Sequence, residues 1–129
     1  MIVVDTSVWV SVLRSAASPE AAAFAALLDA DEVLLPVPVR TELIGGARKT
    51  DRAQLRRLLT ALPLAYPTDD TWRLMDEWTA RASDRGERFG VGDLLIAALA
   101  REAGALIWSL DTDFARMARL GFVDLYDRA

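Results

Sequence analysis

Five acidic residues border apolar segments of this chain instead of lying in polar loops. Asp5 ends the run Ile2-Val3-Val4, and Glu42 lies inside Val37-Pro38-Val39-Arg40-Thr41-Glu42-Leu43-Ile44. Asp93 opens Leu94-Leu95-Ile96-Ala97-Ala98-Leu99-Ala100, and Asp111 follows Leu106-Ile107-Trp108-Ser109-Leu110, with Asp113 as a near neighbour. Carboxylates so placed are costly unless something neutralises them. A divalent cation does that and brings hydrolytic chemistry with it. Two carboxylates at about 4 Å repel by about 1 kcal/mol in water and about 4 kcal/mol at an intermediate dielectric. Acids gathered in one cleft therefore bind a proton or a cation. Oxygen-only ligands favour Mg2+ or Mn2+ over zinc. Mg2+ keeps waters, one of which can serve as nucleophile, and a second ion about 3.5–4 Å away would steady the leaving oxygen of a phosphodiester. Thr6 and Ser7 are placed to hydrogen-bond a ligand water or a phosphate oxygen, and Ser109 to support Asp111.

Composition removes most other chemistries. The chain has no histidine and no cysteine. Ser-His-Asp and Cys-His catalysis, His-ligated zinc, thiolate metal sites and disulfides are excluded. Carboxylates, hydroxyls, Lys and Arg remain. A length of 129 residues, 53% of them hydrophobic, predicts one domain over residues 1–129 with a packed core. Met1 leads into an apolar run that stops at Asp5, with no basic segment ahead of it. No apolar stretch reaches the roughly 18 residues of a membrane span. A cytoplasmic protein with no membrane association is expected. The net charge of −4 argues mildly against nucleic acid as a partner. However, Arg48, Lys49, Arg52, Arg56 and Arg57 are clustered and opposed only by Asp51, and a bound cation would cancel part of the acidic charge.

The elements that must position these groups alternate between strand and helix. Residues 2–5, 33–35 and 105–108 read as short buried strands, with weaker strands at 64–66 and 122–126. Asp5-Thr6-Ser7 reads as a turn before a short helix at Val8–Leu13. Ser18-Pro19-Glu20 reads as an N-cap, first helical position and acidic first turn of a helix running to about Ala30. Further helices are expected from about Pro38 to Gly45-Gly46, after Thr50-Asp51, from Thr68-Asp69-Asp70 to about Asp84, from Asp93 to about Glu102, and from Thr112 to Leu120. Alternating strands and helices imply a mostly parallel sheet covered on both faces.

In such sheets, sites form outside the carboxyl ends of the strands. Asp5 and Asp111 each leave a strand end. Asp93 sits in the first turn of a buried helix, and Glu42 one turn into the helix after the second strand. Taken singly, each acid also has an ordinary role. Asp93 or Asp111 can cap a helix, Asp5 can serve a turn, and Glu42 can face solvent or pair with Arg40 or Arg48.

The joint pattern says more. Asp5-Thr6-Ser7, then Thr41-Glu42-Leu43, then Gly92-Asp93-Leu94-Leu95-Ile96-Ala97-Ala98, then Leu110-Asp111-Thr112-Asp113-Phe114 resembles the PIN-domain family. Within that family the chain looks like the VapC-type toxins of toxin–antitoxin modules. The resemblance spans nearly the whole chain, in order. It implies a three-layer α/β/α sandwich and Mg2+-dependent endoribonuclease activity, with Mn2+ able to substitute. Carried over, Asp5, Glu42, Asp93 and Asp111 would be the catalytic acids. Asp5 and Asp93, with Asp111 or Asp113, would hold metal, and Thr6 or Ser7 would be the hydroxyl beside the first acid. Ser109 stands where a threonine is common in the family and keeps the hydroxyl. The implied partners are an RNA substrate, a cognate VapB-type antitoxin and a second copy of the chain in a homodimer, alone or in a larger complex with antitoxin.

Arg48, Lys49, Arg52 and Arg56 are candidates for RNA phosphate contact, the alternative being a solvated helix face. Arg81, Arg85 and Arg88 are interleaved with acids and read as surface. Trp72, Met75 and Trp78 read as core or dimer surface, and Trp9 and Val12 as core or antitoxin contact. Other readings fit less well. A haloacid-dehalogenase-like fold wants an acid at position 7, where Ser7 stands. A receiver domain wants a lysine at a late strand end, and the only lysine is Lys49. A PIN nuclease of RNA maturation and a non-catalytic PIN-like interaction module are the nearer alternatives.

Overall fold

The computed structural model describes residues 1–127, so the last two residues of the expected 1–129 domain lie outside it. Four strands form one sheet: β1 (Ile2–Val4), β2 (Val33–Pro36), β3 (Leu64–Ala65) and β4 (Leu106–Trp108). Their order is β3-β2-β1-β4 and every pairing is parallel. Val3 lies opposite Leu34 on one side and Ile107 on the other. β1 and β2 are buried at every position. A strand covered on both faces reads as a continuous apolar run without alternation.

The helices are α1 (Thr6–Arg14), α2 (Ala21–Asp29), α3 (Val37–Gly46), α4 (Arg52–Thr60), α5 (Asp69–Asp84), α6 (Val91–Glu102) and α7 (Thr112–Arg119). The chain steps from β1 to β2 to β3 in one direction, then returns past them to place β4 on the far side of β1. By the rule of right-handed crossovers, helices of the β1–β3 connections and helices of the β3–β4 connection cover opposite faces of the sheet. The result is the expected α/β/α sandwich. The reversal makes the gap between β1 and β4 the switch point, where open parallel sheets form their ligand crevice. Asp5 and Asp111 leave the two strands that flank it.

α6 lies deepest. Leu94, Ile96, Ala97, Ala98, Leu99 and Ala100 are all buried, and its small residues allow close approach to α5, β2 and β4. Trp78 of α5 stacks on Phe122 with ring centroids 4.5 Å apart, and Trp9 meets Phe24 edge-on at 4.7 Å. Trp9, Met75 and Trp78 are thus core residues, whereas Trp72 is exposed. α5 ends in a Schellman turn: Gly86 at φ 73° donates its N–H to Ser83, and the Glu87 N–H reaches Ala82. That turn fixes where the Glu87 side chain leaves the helix end. Among the described residues, no helix is long and apolar enough to cross a membrane.

Three local expectations differ from the structure. Asp5-Thr6-Ser7 is the capped start of α1 and not a separate turn. Ser18 does not cap α2, which starts at Ala21; its hydroxyl is buried without a partner, and Glu20 instead accepts from the Ser11 hydroxyl at 3.0 Å. Residues 122–126 form a single parallel bridge, Ile107 to Leu125, and no strand. Arg101 occupies the carbonyls of Gly121 and Phe122, which are therefore not available to a strand ladder.

Candidate active site

The β1–α1 and β4–α7 turns are welded together by two serines. Asp5 is the N-cap of α1 and only 5% exposed. Its Oδ2 accepts from the Ser7 hydroxyl at 2.8 Å and from the Ser109 hydroxyl at 2.8 Å. Each hydroxyl in turn accepts a backbone N–H across or along the crevice. Leu110 donates to Ser7 at 3.0 Å, and Asp111 donates to Ser109 at 2.9 Å. With both hydroxyl protons committed to Asp5, the 3.2 Å approach of Ser7 to Ser109 has no proton left to bridge it. The Asp5 N–H closes the weld by donating to the Trp108 carbonyl at 2.9 Å. Ser109 therefore supports the Asp111 backbone and the Asp5 carboxylate, and not the Asp111 side chain as its position in the sequence suggests.

Three of the remaining acids gather beside this weld. One carboxylate oxygen from each of Asp93, Asp111 and Asp113 lies within 4.8 Å of the other two. Asp111 is the N-cap of α7, its Oδ1 accepting the Asp113 N–H at 2.9 Å. Asp93 sits in the first turn of α6, half-buried, behind an N-cap at Gly90. Its pKa is pushed up to about 6, first by burial, then by the charges of Asp111, Asp5 and Asp113, and by a hydrogen bond with Asp113. Asp5 is therefore in electrostatic reach of the cluster although it is not among the three closest oxygens. Like charges that cannot spread apart hold a proton or take up a cation, and a hard oxygen set of this kind suits Mg2+ or Mn2+.

Glu42 stands apart. It is exposed on α3, in the wall of a groove of about 970 Å³ between α1, α3 and α4. Its pKa is raised by desolvation and then by the Asp5 charge, with the Thr6 hydroxyl easing the effect. Thr6 Oγ1 is buried and makes no hydrogen bond of ordinary geometry. Glu42 thus senses the charge of Asp5, as Asp93 does. Among the basic candidates, Arg48 lines the same groove and pairs with Asp51 at 3.1 Å, and Asp51 makes no side-chain cap on α4. Lys49 and Arg56 are exposed, while Arg52 is half-buried with its Nε lacking a partner.

Two residues at the site are not apparent from the sequence. Arg116 bridges Asp113 and Glu87 and lies over the Phe89 ring at 4.6 Å. The helical spacing of Asp113 and Arg116 is a signal for the first of these pairings. Nothing local in the sequence signals the pairing with Glu87, which depends on the α5 end meeting α7.

The PIN domain family model matches residues 2–120. Ribonuclease VapC11 of Mycobacterium tuberculosis (strain ATCC 25618 / H37Rv) is 34% identical over 125 residues, which cover 93% of each chain. Among solved structures, VapBC2 from Rickettsia felis, bound to a DNA fragment from its promoter, superposes with a TM-score of 0.79 at 17% identity and full coverage of both chains. VapC20 of Mycobacterium tuberculosis, a sarcin-ricin loop cleaving toxin, gives 0.68 at 24% identity, covering 98% of this chain and all of that one. The two structures share the fold, and the identity to VapC11 carries the relationship to the level of sequence. The chain belongs to the PIN-domain family, among its VapC members.

Proposed function

We infer that this chain is a single-domain, metal-dependent endoribonuclease that acts in the cytoplasm as the toxin of a VapBC-type toxin–antitoxin module. The observation that carries the reading is the meeting of acids from α6 and α7 beside Asp5 at the β1–β4 switch point of a VapC-family chain. VapC11 is named a ribonuclease, and VapC20 is described as a sarcin-ricin loop cleaving toxin. The Rickettsia felis structure is a toxin–antitoxin complex, which supports a VapB-type protein as partner here. A homodimer is part of the same reading.

Asp93, Asp111 and Asp113 would hold the ion, with Asp5 behind them. Mg2+ bound there, or Mn2+ in its place, would polarise the phosphodiester and lower the pKa of an attacking water. Asp5, Ser7 and Ser109 act as the rigid floor of the site. Asp5 accepts from the two serine hydroxyls, and its charge adds to the burial that raises both Asp93 and Glu42. Glu42, raised by burial and by the Asp5 charge and standing outside the three proposed ligands, is the carboxyl suited to exchange a proton with the attacking water or the leaving oxygen. Arg48, Lys49, Arg52 and Arg56, beyond Glu42, would contact the RNA backbone. Single-stranded loops are the class of RNA whose bases such a site can reach.

The test is RNA cleavage by the purified chain, free of antitoxin, with Mg2+ or Mn2+, with EDTA, and with Asp93→Asn. Cutting that needs the metal and is lost in the variant supports the assignment. Cutting that survives in Asp93→Asn refutes it. A folded protein that binds neither metal would favour a PIN-like module that only binds its partner.

A further inference from the structure

Arg116 lies one helical turn beyond Asp113 on α7 and uses its guanidinium in three directions. Nη1 donates to Asp113 Oδ1 at 2.8 Å. Nε donates to Glu87 Oε2 at 2.9 Å, and Nη2 donates to that same oxygen and to the Arg88 carbonyl at 3.3 Å. The plane rests on Phe89, which meets the buried Phe122 edge-on with centroids 6.4 Å apart. Arg116 and Glu87 are only 30% and 31% exposed. An isolated exposed pair would hold little in place. A planar fork with several partners and a ring beneath it has one favoured orientation.

These interactions join two parts of the site. Glu87 leaves the Schellman turn at the end of α5, and residues 87–90 run directly into α6, whose first turn carries Asp93. Arg116 therefore ties α7, with Asp111 and Asp113, to the entry of α6.

We propose that Arg116, held by Glu87, is a positioning residue of the acid cluster. It fixes one oxygen of Asp113 and sets the spacing of Asp113 from Asp93, so that the remaining oxygens form a divalent-cation site before the cation arrives. This rests on the reading of the acids as the metal centre. Side chains that orient metal-ligating carboxylates typically contribute 10–100-fold to metal affinity. Charge alone predicts the opposite sign. A guanidinium so close to the acids repels a divalent cation and competes for Asp113, so loosening it would tighten metal binding.

The experiment is the Mn2+ dissociation constant of the full chain, measured by calorimetry and by the EPR signal of free Mn2+. The proteins compared are the wild type, Arg116→Lys, Glu87→Asp and Asp93→Asn, with circular dichroism as a check on folding. Arg116→Lys and Glu87→Asp each keep the charge and lose the geometry. The expected result is roughly tenfold weaker Mn2+ binding in both, with kcat on RNA falling more than KM rises. Unchanged or tighter Mn2+ binding in either folded variant overturns the proposal. If Arg116→Lys does not fold, Glu87→Asp decides alone, since Glu87 reaches the acid cluster through Arg116. A loss of Mn2+ binding confined to Asp93→Asn would leave the metal centre standing and overturn only the positioning role. A wild type that does not bind Mn2+, or Asp93→Asn binding it as the wild type does, overturns both.

Discussion

Replacing Asp93 with asparagine should make the metal-free protein more stable while removing its activity. In the folded chain the Asp93 pKa is raised from its ordinary 3.8 to about 6. A difference of that size corresponds to about 3 kcal/mol at about 1.4 kcal/mol per tenfold. Asp93 is only half-buried, so solvent screening brings the expected penalty down to about 1–2 kcal/mol. The folded pKa lies above the unfolded one. Asp93 therefore costs nothing below about pH 4, where it is protonated in both states, and its cost grows until the folded form is ionised above about pH 6–7. Asparagine keeps the shape and can donate to Asp113 as the protonated acid does. Without added metal, Asp93→Asn should melt about 3–8 °C above the wild type at pH 7.5, and the gap should narrow as the pH falls below about 6 and close only below about pH 4. Saturating Mn2+ should raise the wild-type melting temperature and leave the variant's unmoved. The assay is differential scanning calorimetry over pH with and without Mn2+. A variant no more stable than the wild type at pH 7.5, or a gap that does not shrink on acidification, would refute the view that Asp93 bears the repulsion of the cluster.

Three other outcomes follow from the geometry. Asp111→Asn keeps the cap on the Asp113 N–H and removes a charge that raises Asp93, so in urea it should be at least as stable as the wild type, with Asp111→Ala about 1 kcal/mol below Asp111→Asn; both should weaken Mn2+ binding, and equal stability of the two variants would remove the capping role. Ser109→Ala takes one hydroxyl from Asp5 and the acceptor from the Asp111 N–H, and should lower stability by about 1–3 kcal/mol in urea titration; an unchanged midpoint would show that the weld contributes nothing. Neutralising Arg52 and Arg56 together should flatten the salt dependence of RNA binding, the slope falling by close to one for each phosphate that is no longer neutralised; an unchanged slope would leave them as surface charges.

The strands and helices are legible in the sequence wherever one residue pattern has one meaning. Ile2–Val4 and Leu106–Trp108 are β-branched or apolar throughout and form strands. The nearly all-apolar stretch after Asp93 forms the buried α6. Local signals mislead where a tertiary one outweighs them. Ser18-Pro19 is a good helix start by itself, yet Glu20 is drawn to Ser11 on α1 and the helix begins later. Residues 122–126 have strand composition, but Phe122 stacks on Trp78 and Arg101 takes the carbonyls of Gly121 and Phe122, so only Leu125 pairs. At the site, the acids are readable because each borders an apolar run. The Ser7–Asp5–Ser109 weld is readable only in part, since it requires knowing that β4 lies beside β1. The Glu87–Arg116 pairing is not readable at all, because it joins the end of one helix to the middle of another.

The ordinary and the chemical readings of these acids describe one arrangement. Asp5 caps α1, Asp111 caps α7, and Asp93 lies in the first turn of α6, so three helix N-termini converge on the crevice. Each helix end favours a nearby negative charge by about 0.3–1 kcal/mol. A like-charge pair at about 4 Å costs about 4 kcal/mol at an intermediate dielectric. The helix ends, the two serine hydroxyls and Arg116 together let the cluster exist in the folded chain, and they leave part of the repulsion standing. The raised pKa of Asp93 carries that remainder on top of the cost of its burial. A cluster fully satisfied by caps would show no such excess of charge and would have no need of a cation. The caps set where the acids stand, and the repulsion they fail to offset is what favours a divalent ion.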